Sequence, residues 1–241
     1  MSPLTRYLPG AVVLLVLVLT AGCTVPPCSV GSGNVISETR DLGTFHSVEL
    51  NTFATVLVMQ GTPGAVKIEA EDNIMPLLRT RVSDGVLVID HDAVCVENTT
   101  PVVVRVAMDE VRGLAVNGAG SVLGENEIVA DRLSTAVGGS GALDLDVNVS
   151  TLESVISGSG KTRYAGTAAE HNVVITGSGT VKGFDLATDR TNLVISGSGR
   201  AEVLATEALD VQITGNGIVT YRGDPAVTQV ITGSGSLTKE E

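Results

Sequence analysis

The sequence predicts an all-β chain whose second half is a β-solenoid. Three observations predict it. A glycine-rich unit recurs seven times, with its first glycine at 118, 139, 158, 177, 197, 215 and 233. The spacings are 21, 19, 19, 20, 18 and 18 residues, the period of one solenoid coil and too short for a helical repeat pair. Two places before each first glycine stands a β-branched residue: Val116, Val137, Ile156, Ile175, Ile195, Ile213 and Ile231. Seven such residues in one column make an interior ladder when coils stack about 4.8 Å apart.

Composition narrows the function. The chain has 241 residues and 43% hydrophobic content, enough for a buried core. It carries no Trp, three Tyr, three Phe and a net charge of -12. Nucleic-acid binding needs a basic surface or stacking rings, so no nucleic-acid partner is expected.

Residues 1–22 read as a lipoprotein signal peptide. Arg6 supplies a positive start, and Ala11–Leu19 is an apolar run too short to anchor by spanning a bilayer. Leu19-Thr20-Ala21-Gly22-Cys23 has the form of a bacterial lipobox, so Cys23 is the expected lipidation site. Acyl chains there would hold the mature protein on its membrane. The expected location is extracytoplasmic, lipid-anchored at the cell surface or in the periplasm. Residues 23–40 then form the lipidated Cys and a tether, rich in Pro, Gly and Ser over 24–34. Cys28 and Cys95 are a candidate disulfide, because paired thiols oxidise outside the cytoplasm.

Residues 41–110 read as an N-terminal β part. Val-rich runs cover 45–50, 54–59, 66–70, 86–90 and 102–107, separated by turn signals such as Gln60-Gly61-Thr62-Pro63-Gly64 and Asp84-Gly85. Asp72–Leu78 is the best helical candidate, of one or two turns.

Residues 111–238 are the repeat. Four places after the first glycine stand Val122, Leu143, Thr162, Val181, Ala201, Val219 and Leu237, a second interior column. The glycine pair permits positive φ and a sharp corner. The Ser and Thr residues beside it read as hydroxyl ladders bonded to each other and to backbone. The column Ala115, Ala136, Val155, Val174, Val194 and Val230 lies beside the ladder, so period two turns it outward. The expectation is that residues 45–108 cover it; otherwise it is an exposed apolar stripe. The last repeat is followed by Thr238-Lys239-Glu240-Glu241, leaving an open coil edge that the charges could block.

These features resemble the putative auto-transporter adhesin, head GIN domain family. The resemblance rests on Val30-Gly31-Ser32-Gly33, Arg40, Phe45, Val48-Glu49-Leu50, the run VLVMQG from Val56, VKIEAEDNIMP from Val66, GVLVI from Gly85 and the G-S-G series. It covers about residues 30–237. It implies a right-handed, single-stranded β-helix-like solenoid and carries little about activity.

Chemical motifs are sparse. There is no G-x-S-x-G elbow and no glycine-rich phosphate loop before a helix. His46, His91 and His171 are scattered, so no metal site and no cofactor is expected. One candidate ligand-binding face remains. Lys161, Arg163, Lys182 and Arg200 fall on three successive coils, three and five places after the first glycine. Four cations in an acidic chain suit an anionic glycan or headgroup. The competing and preferred reading is a salt-bridged outer face with Asp144 and Glu202. The expected function is a membrane-anchored, non-enzymatic binding, adhesion or scaffold module of the envelope. Its partners would be the membrane and an envelope glycan or surface protein, with the oligomeric state open. The alternative is a carbohydrate-active solenoid lyase or hydrolase.

Overall fold

The computed structural model describes residues 28–92, 95–97 and 100–241. The expected signal peptide and Cys23 lie outside the described residues. The N-terminal strands are β1 (Ser29–Val30), β2 (Val35–Arg40), β3 (Ser47–Leu50), β4 (Thr55–Gln60), β5 (Val66–Glu71), β6 (Leu78–Ser83), β7 (Val86–His91), β8 (Val96–Glu97) and β9 (Val103–Met108). The repeat supplies β10 (Gly113–Val116), β11 (Ser121–Gly124), β12 (Ile128–Val137), β13 (Ala142–Gly158), β14 (Lys161–Gly177), β15 (Thr180–Gly197), β16 (Arg200–Gly215), β17 (Ile218–Arg222), β18 (Ala226–Gly233) and β19 (Ser236–Lys239). Strands make up 70% of the chain, which is nearly all-β with a solenoid of about 7 turns. The helical candidate over 72–78 is a single 3-10 turn, Met75–Leu77, entered through Pro76.

Every repeat pairs in parallel with the next, ladder residue on ladder residue. Ala136–Val137 pairs with Val155–Ile156, these with Val174–Ile175, and these with Val194–Ile195. The ladder from Val116 to Ile213 and the second column from Val122 to Val219 are fully buried. Ile231 and Leu237, on the last coil, are half-buried.

The two corner glycines answer different demands. The first has positive φ in the later coils, 131° at Gly158 and 114° at Gly177. A Cβ on Gly177 would also lie 2.8 Å from the Gly158 carbonyl oxygen below it. The second glycine makes room for the ladder: a Cβ on Gly179 would lie 2.4 Å from Ile156 Cγ2, and one on Gly199 2.6 Å from Ile175 Cγ2. Backbone hydrogen bonds run unbroken through the corner, Ser178 N to Gly158 O at 2.9 Å and Thr180 N to Gly160 O at 3.0 Å.

The N-terminal part continues the stack. β3 pairs in parallel with β10, placing Leu50 under Val116, and β4 pairs in parallel with β11. Ser47–Val58 is therefore a coil without the G-S-G signature. This overturns the expectation that residues 45–108 cover the outward valine column. Their backbone edges are spent on lengthening the stack, so they cannot fold over its side. Val155, Val174, Val194 and Val230 remain 43%, 40%, 37% and 60% exposed. The expected hydroxyl ladders do not form either. Ser157, Thr176, Ser196, Thr214 and Thr232 are exposed, and their hydroxyls make no hydrogen bond to protein among the described residues. Coil-to-coil hydroxyl bonds form instead at other register pairs, Thr55 with Ser121 and Thr135 with Ser154, each at 3.3 Å.

The tether is shorter than 23–40. β2 pairs antiparallel with β5 along its whole length, Val35 opposite Glu71 and Arg40 opposite Val66. Ahead of it, the loop Gly31–Asn34 is clasped by Glu71-Asp72-Asn73. Gly33 N donates to Glu71 Oε1 at 2.9 Å, Ser32 Oγ to Asp72 Oδ1 at 2.5 Å and Ser32 N to Asn73 Oδ1 at 3.0 Å. Hydrogen bonds from Asn34 and Ser32 hold the Asp72 carboxyl below its ordinary range.

Candidate binding surfaces

The candidate cations sit where the spacing places them, on one outer face. Asp144, Arg163 and Lys182 are register neighbours in β13, β14 and β15, with Glu202 next in β16. Lys161, Thr180 and Arg200 form the adjacent column. Arg163 is held between two carboxylates: Nη1 donates to Asp144 Oδ1 at 3.0 Å and Nη2 to Asp185 Oδ2 at 2.9 Å. These bonds raise the Arg163 pKa further, Asp144 contributing most. Lys161, Lys182 and Arg200 form no ion pair among the described residues. The sequence reading placed Asp144 in the cluster and missed Asp185. The bulge that brings Asp185 round is visible only as a register shift between β14 and β15.

The sulfurs of Cys28 and Cys95 are bonded, with Cα atoms 4.7 Å apart and a sequence separation of 67. Around this bridge β1 pairs with β8. A Glu97 carboxylate oxygen lies within 4.8 Å of the two sulfurs. A disulfide leaves no thiolate to ligate a metal, so that trio does not fit an ion.

A serine and a histidine do meet, but inside the core. Ser154 Oγ and His171 Nε2 are 2.9 Å apart, and Thr135 Oγ1 lies 2.6 Å from Tyr164 Oη. All four residues are buried. Burial alone pulls the His171 pKa down to about 3 and pushes the Tyr164 hydroxyl up. A nucleophile and base sealed from solvent cannot meet a substrate. The group satisfies core polar atoms.

A set of adjoining concavities lies elsewhere on the stack. A cleft of about 460 Å³ crosses β12 to β16, lined among others by Asn148, Ser150, Thr167, Ala169, Asp189 and Thr206. A cleft of about 340 Å³ shares Ser150, Ala169 and Asp189 with it. A third of about 560 Å³ shares Val129 and Ala130, reaching Gln60 and Arg112. Where the first cleft reaches β15 and β16, their pairing shifts register twice, between Gly183 and Ala187 and between Thr188 and Arg190. Bulges re-aim side chains and break up a flat sheet. Residue columns alone did not disclose this groove. The signal was the fall in repeat spacing from 20 to 18 across these coils.

Residues 44–225 match the protein family described as putative auto-transporter adhesin, head GIN domain. The chain belongs to that family. Three solved structures share the head GIN fold seen here. A putative adhesin from Bacteroides fragilis is 22% identical, with 88% of this chain and 99% of that one covered and a TM-score of 0.81. A putative lipid binding protein from Parabacteroides distasonis is 23% identical, covering 89% and 100%, with a TM-score of 0.74. A putative adhesin from Parabacteroides merdae is 22% identical, covering 88% and 98%, with a TM-score of 0.70. At these identities the likeness shows the fold. No curated protein matches the chain.

Proposed function

We propose that this head GIN protein is an extracytoplasmic binding module, non-enzymatic and held to its membrane by acyl chains on Cys23. The observation that carries the reading is the state of its reactive groups. The Ser154–His171 pair is sealed in the core, and Arg163 is consumed by Asp144 and Asp185. What faces solvent is a long cleft lined by hydrogen-bonding side chains. The Cys28–Cys95 bridge fits an oxidising compartment. The lipobox at Leu19–Cys23 supplies the anchor. The relatives described as adhesins and as a lipid binding protein support binding over turnover.

Fractionation of cells labelled with radioactive palmitate tests the anchor. The label should follow the protein into the membrane fraction, and Cys23→Ser should lose label and release the chain. Pull-down of envelope polymers by the mature chain tests binding. A parallel variant carries Ser at Lys161, Arg163, Lys182 and Arg200. Binding lost in that variant and weakened by salt would put the site on the basic face. Release of new sugar ends from any envelope polysaccharide would overturn the non-enzymatic reading.

A further inference from the structure

We infer that the groove along β12 to β16 is a binding site for a neutral, β-linked glycan chain lying parallel to the stack, with one sugar ring per coil. This deepens the binding-module reading and rests on it.

The step length argues for the ligand. The groove crosses five coils, from Val129 on β12 to Thr206 on β16. Four steps of coil spacing make it about 19 Å long. An extended peptide laid along this axis advances about 3.3 Å per residue and falls out of register with the coils. A β-linked pyranose chain advances by nearly the coil spacing with each ring. Successive β-1,4-linked rings are turned over, so equivalent side chains on alternate coils would meet equivalent atoms and those on the coils between would meet the opposite ring edge.

The lining suits hydroxyl groups, which both donate and accept. Thr167 Oγ1 donates to Asn148 Oδ1 at 3.3 Å, and the Asn148 amide hydrogens have no protein acceptor among the described residues. The Ser150 hydroxyl has no protein partner among the described residues. Asp189 Oδ1 receives only a long bond from Thr206, at 3.5 Å, so its carboxylate remains open to a sugar hydroxyl. Ala169 and Ala187 keep the floor low enough for a ring to approach the backbone.

Charge selects against polyanions. The chain carries -12, and the groove holds Asp189 on β15. The neighbouring cation, Arg190, sits 3.5 Å from Glu207 and is neutralised there. A uronate or phosphate polymer would meet repulsion, whereas a neutral chain meets none. This separates the groove from the basic face, whose ligand would be anionic.

The test is calorimetric titration of the mature chain, carrying Cys23→Ser to keep it soluble. The probes are β-1,4-linked glucose and N-acetylglucosamine oligomers of two to six rings, with oligogalacturonate as the anionic comparator. Affinity should climb with length and level off near five rings, the number of coils crossed. It should change little with salt. Ala169→Arg, at an exposed position, should weaken binding at least tenfold while leaving the circular dichroism spectrum and melting temperature unchanged. Thr167→Val should weaken it several-fold. Binding that is indifferent to both variants overturns the groove assignment and leaves the binding module standing. So does binding of oligogalacturonate alone. A folded chain that binds none of the oligomers and no envelope polymer overturns both.

Discussion

The buried carboxylate of Glu71 accepts the Gly33 amide hydrogen, and its Oε2 occupies the space where a side chain on Gly31 would begin. A Cβ at Gly31 would lie 1.8 Å from that oxygen. The first glycine of the N-terminal G-S-G is thus required by an acid 40 residues away. Gly31→Ala should cost about 1–3 kcal/mol, the usual cost of disturbing a buried polar contact. Urea unfolding checks the loss. Limited proteolysis of the Gly31–Asn34 loop should quicken in the same variant.

The second corner glycine gives a pairwise test. Gly179→Ala should destabilise the chain by about 1–3 kcal/mol, because the new methyl meets Ile156 Cγ2. Ser178→Ala, one residue away and solvent-facing, should stay within about 0.5 kcal/mol. Shortening the neighbour relieves the clash, so Gly179→Ala with Ile156→Ala should cost less than the two single changes summed. Simple additivity in denaturant melts would refute the contact.

Acid should weaken the fold through His171. Its folded pKa is lowered by burial to about 3, against 6.5 when unfolded. Between these values the unfolded chain binds a proton that the folded chain refuses, so stability rises with pH. The contribution is complete above about pH 6.5 and is lost as pH falls toward 3. At pH 4.5 the loss should be about 2–3 kcal/mol, at 1.36 kcal/mol per unit. His171→Gln should flatten this dependence, leaving the part due to surface carboxylates such as Asp72, Asp92 and Glu110, whose pKa values are also lowered. Urea midpoints at pH 7 and 4.5 for both proteins separate the two.

Thiol titration of the denatured, unreduced mature chain carrying Cys23→Ser should find no free thiol. Two thiols per chain would refute the bridge. Cys28→Ser with Cys95→Ser should lower stability by about 2–4 kcal/mol, the usual range for a native crosslink.

The repeat was legible because stacking forces identical demands on successive coils. Ile156, Ile175 and Ile195 occupy one environment, and Gly160, Gly179 and Gly199 must each clear the ladder residue of the coil below. The runs from Val56, Val66 and Val86 were legible as Val-rich stretches between turn signals. Leu78–Ser83, LRTRVS, alternates without being Val-rich and lacks that signal. Val35–Arg40 was not legible: it is exposed on nearly every residue and exists as a strand because β5 offers it an edge. The groove and the Ser154–His171–Tyr164 cluster depend on register between coils, and register is a property of pairing that one strand's composition does not carry. The four cations share one face, yet the second partner of Arg163, Asp185, is brought round by a bulge.

The attachment of the first residues has a mechanical consequence. A pull on the chain ahead of Cys28 reaches the body through a covalent bond to Cys95 before it reaches any hydrogen bond of β2. Antiparallel pairs at an edge peel open one after another under tension, whereas a sulfur bridge passes the force whole to the segment holding Cys95. The clasp over Gly31–Asn34 stays slack behind it. A pull applied in this way leaves the coils, and the cleft along them, in register.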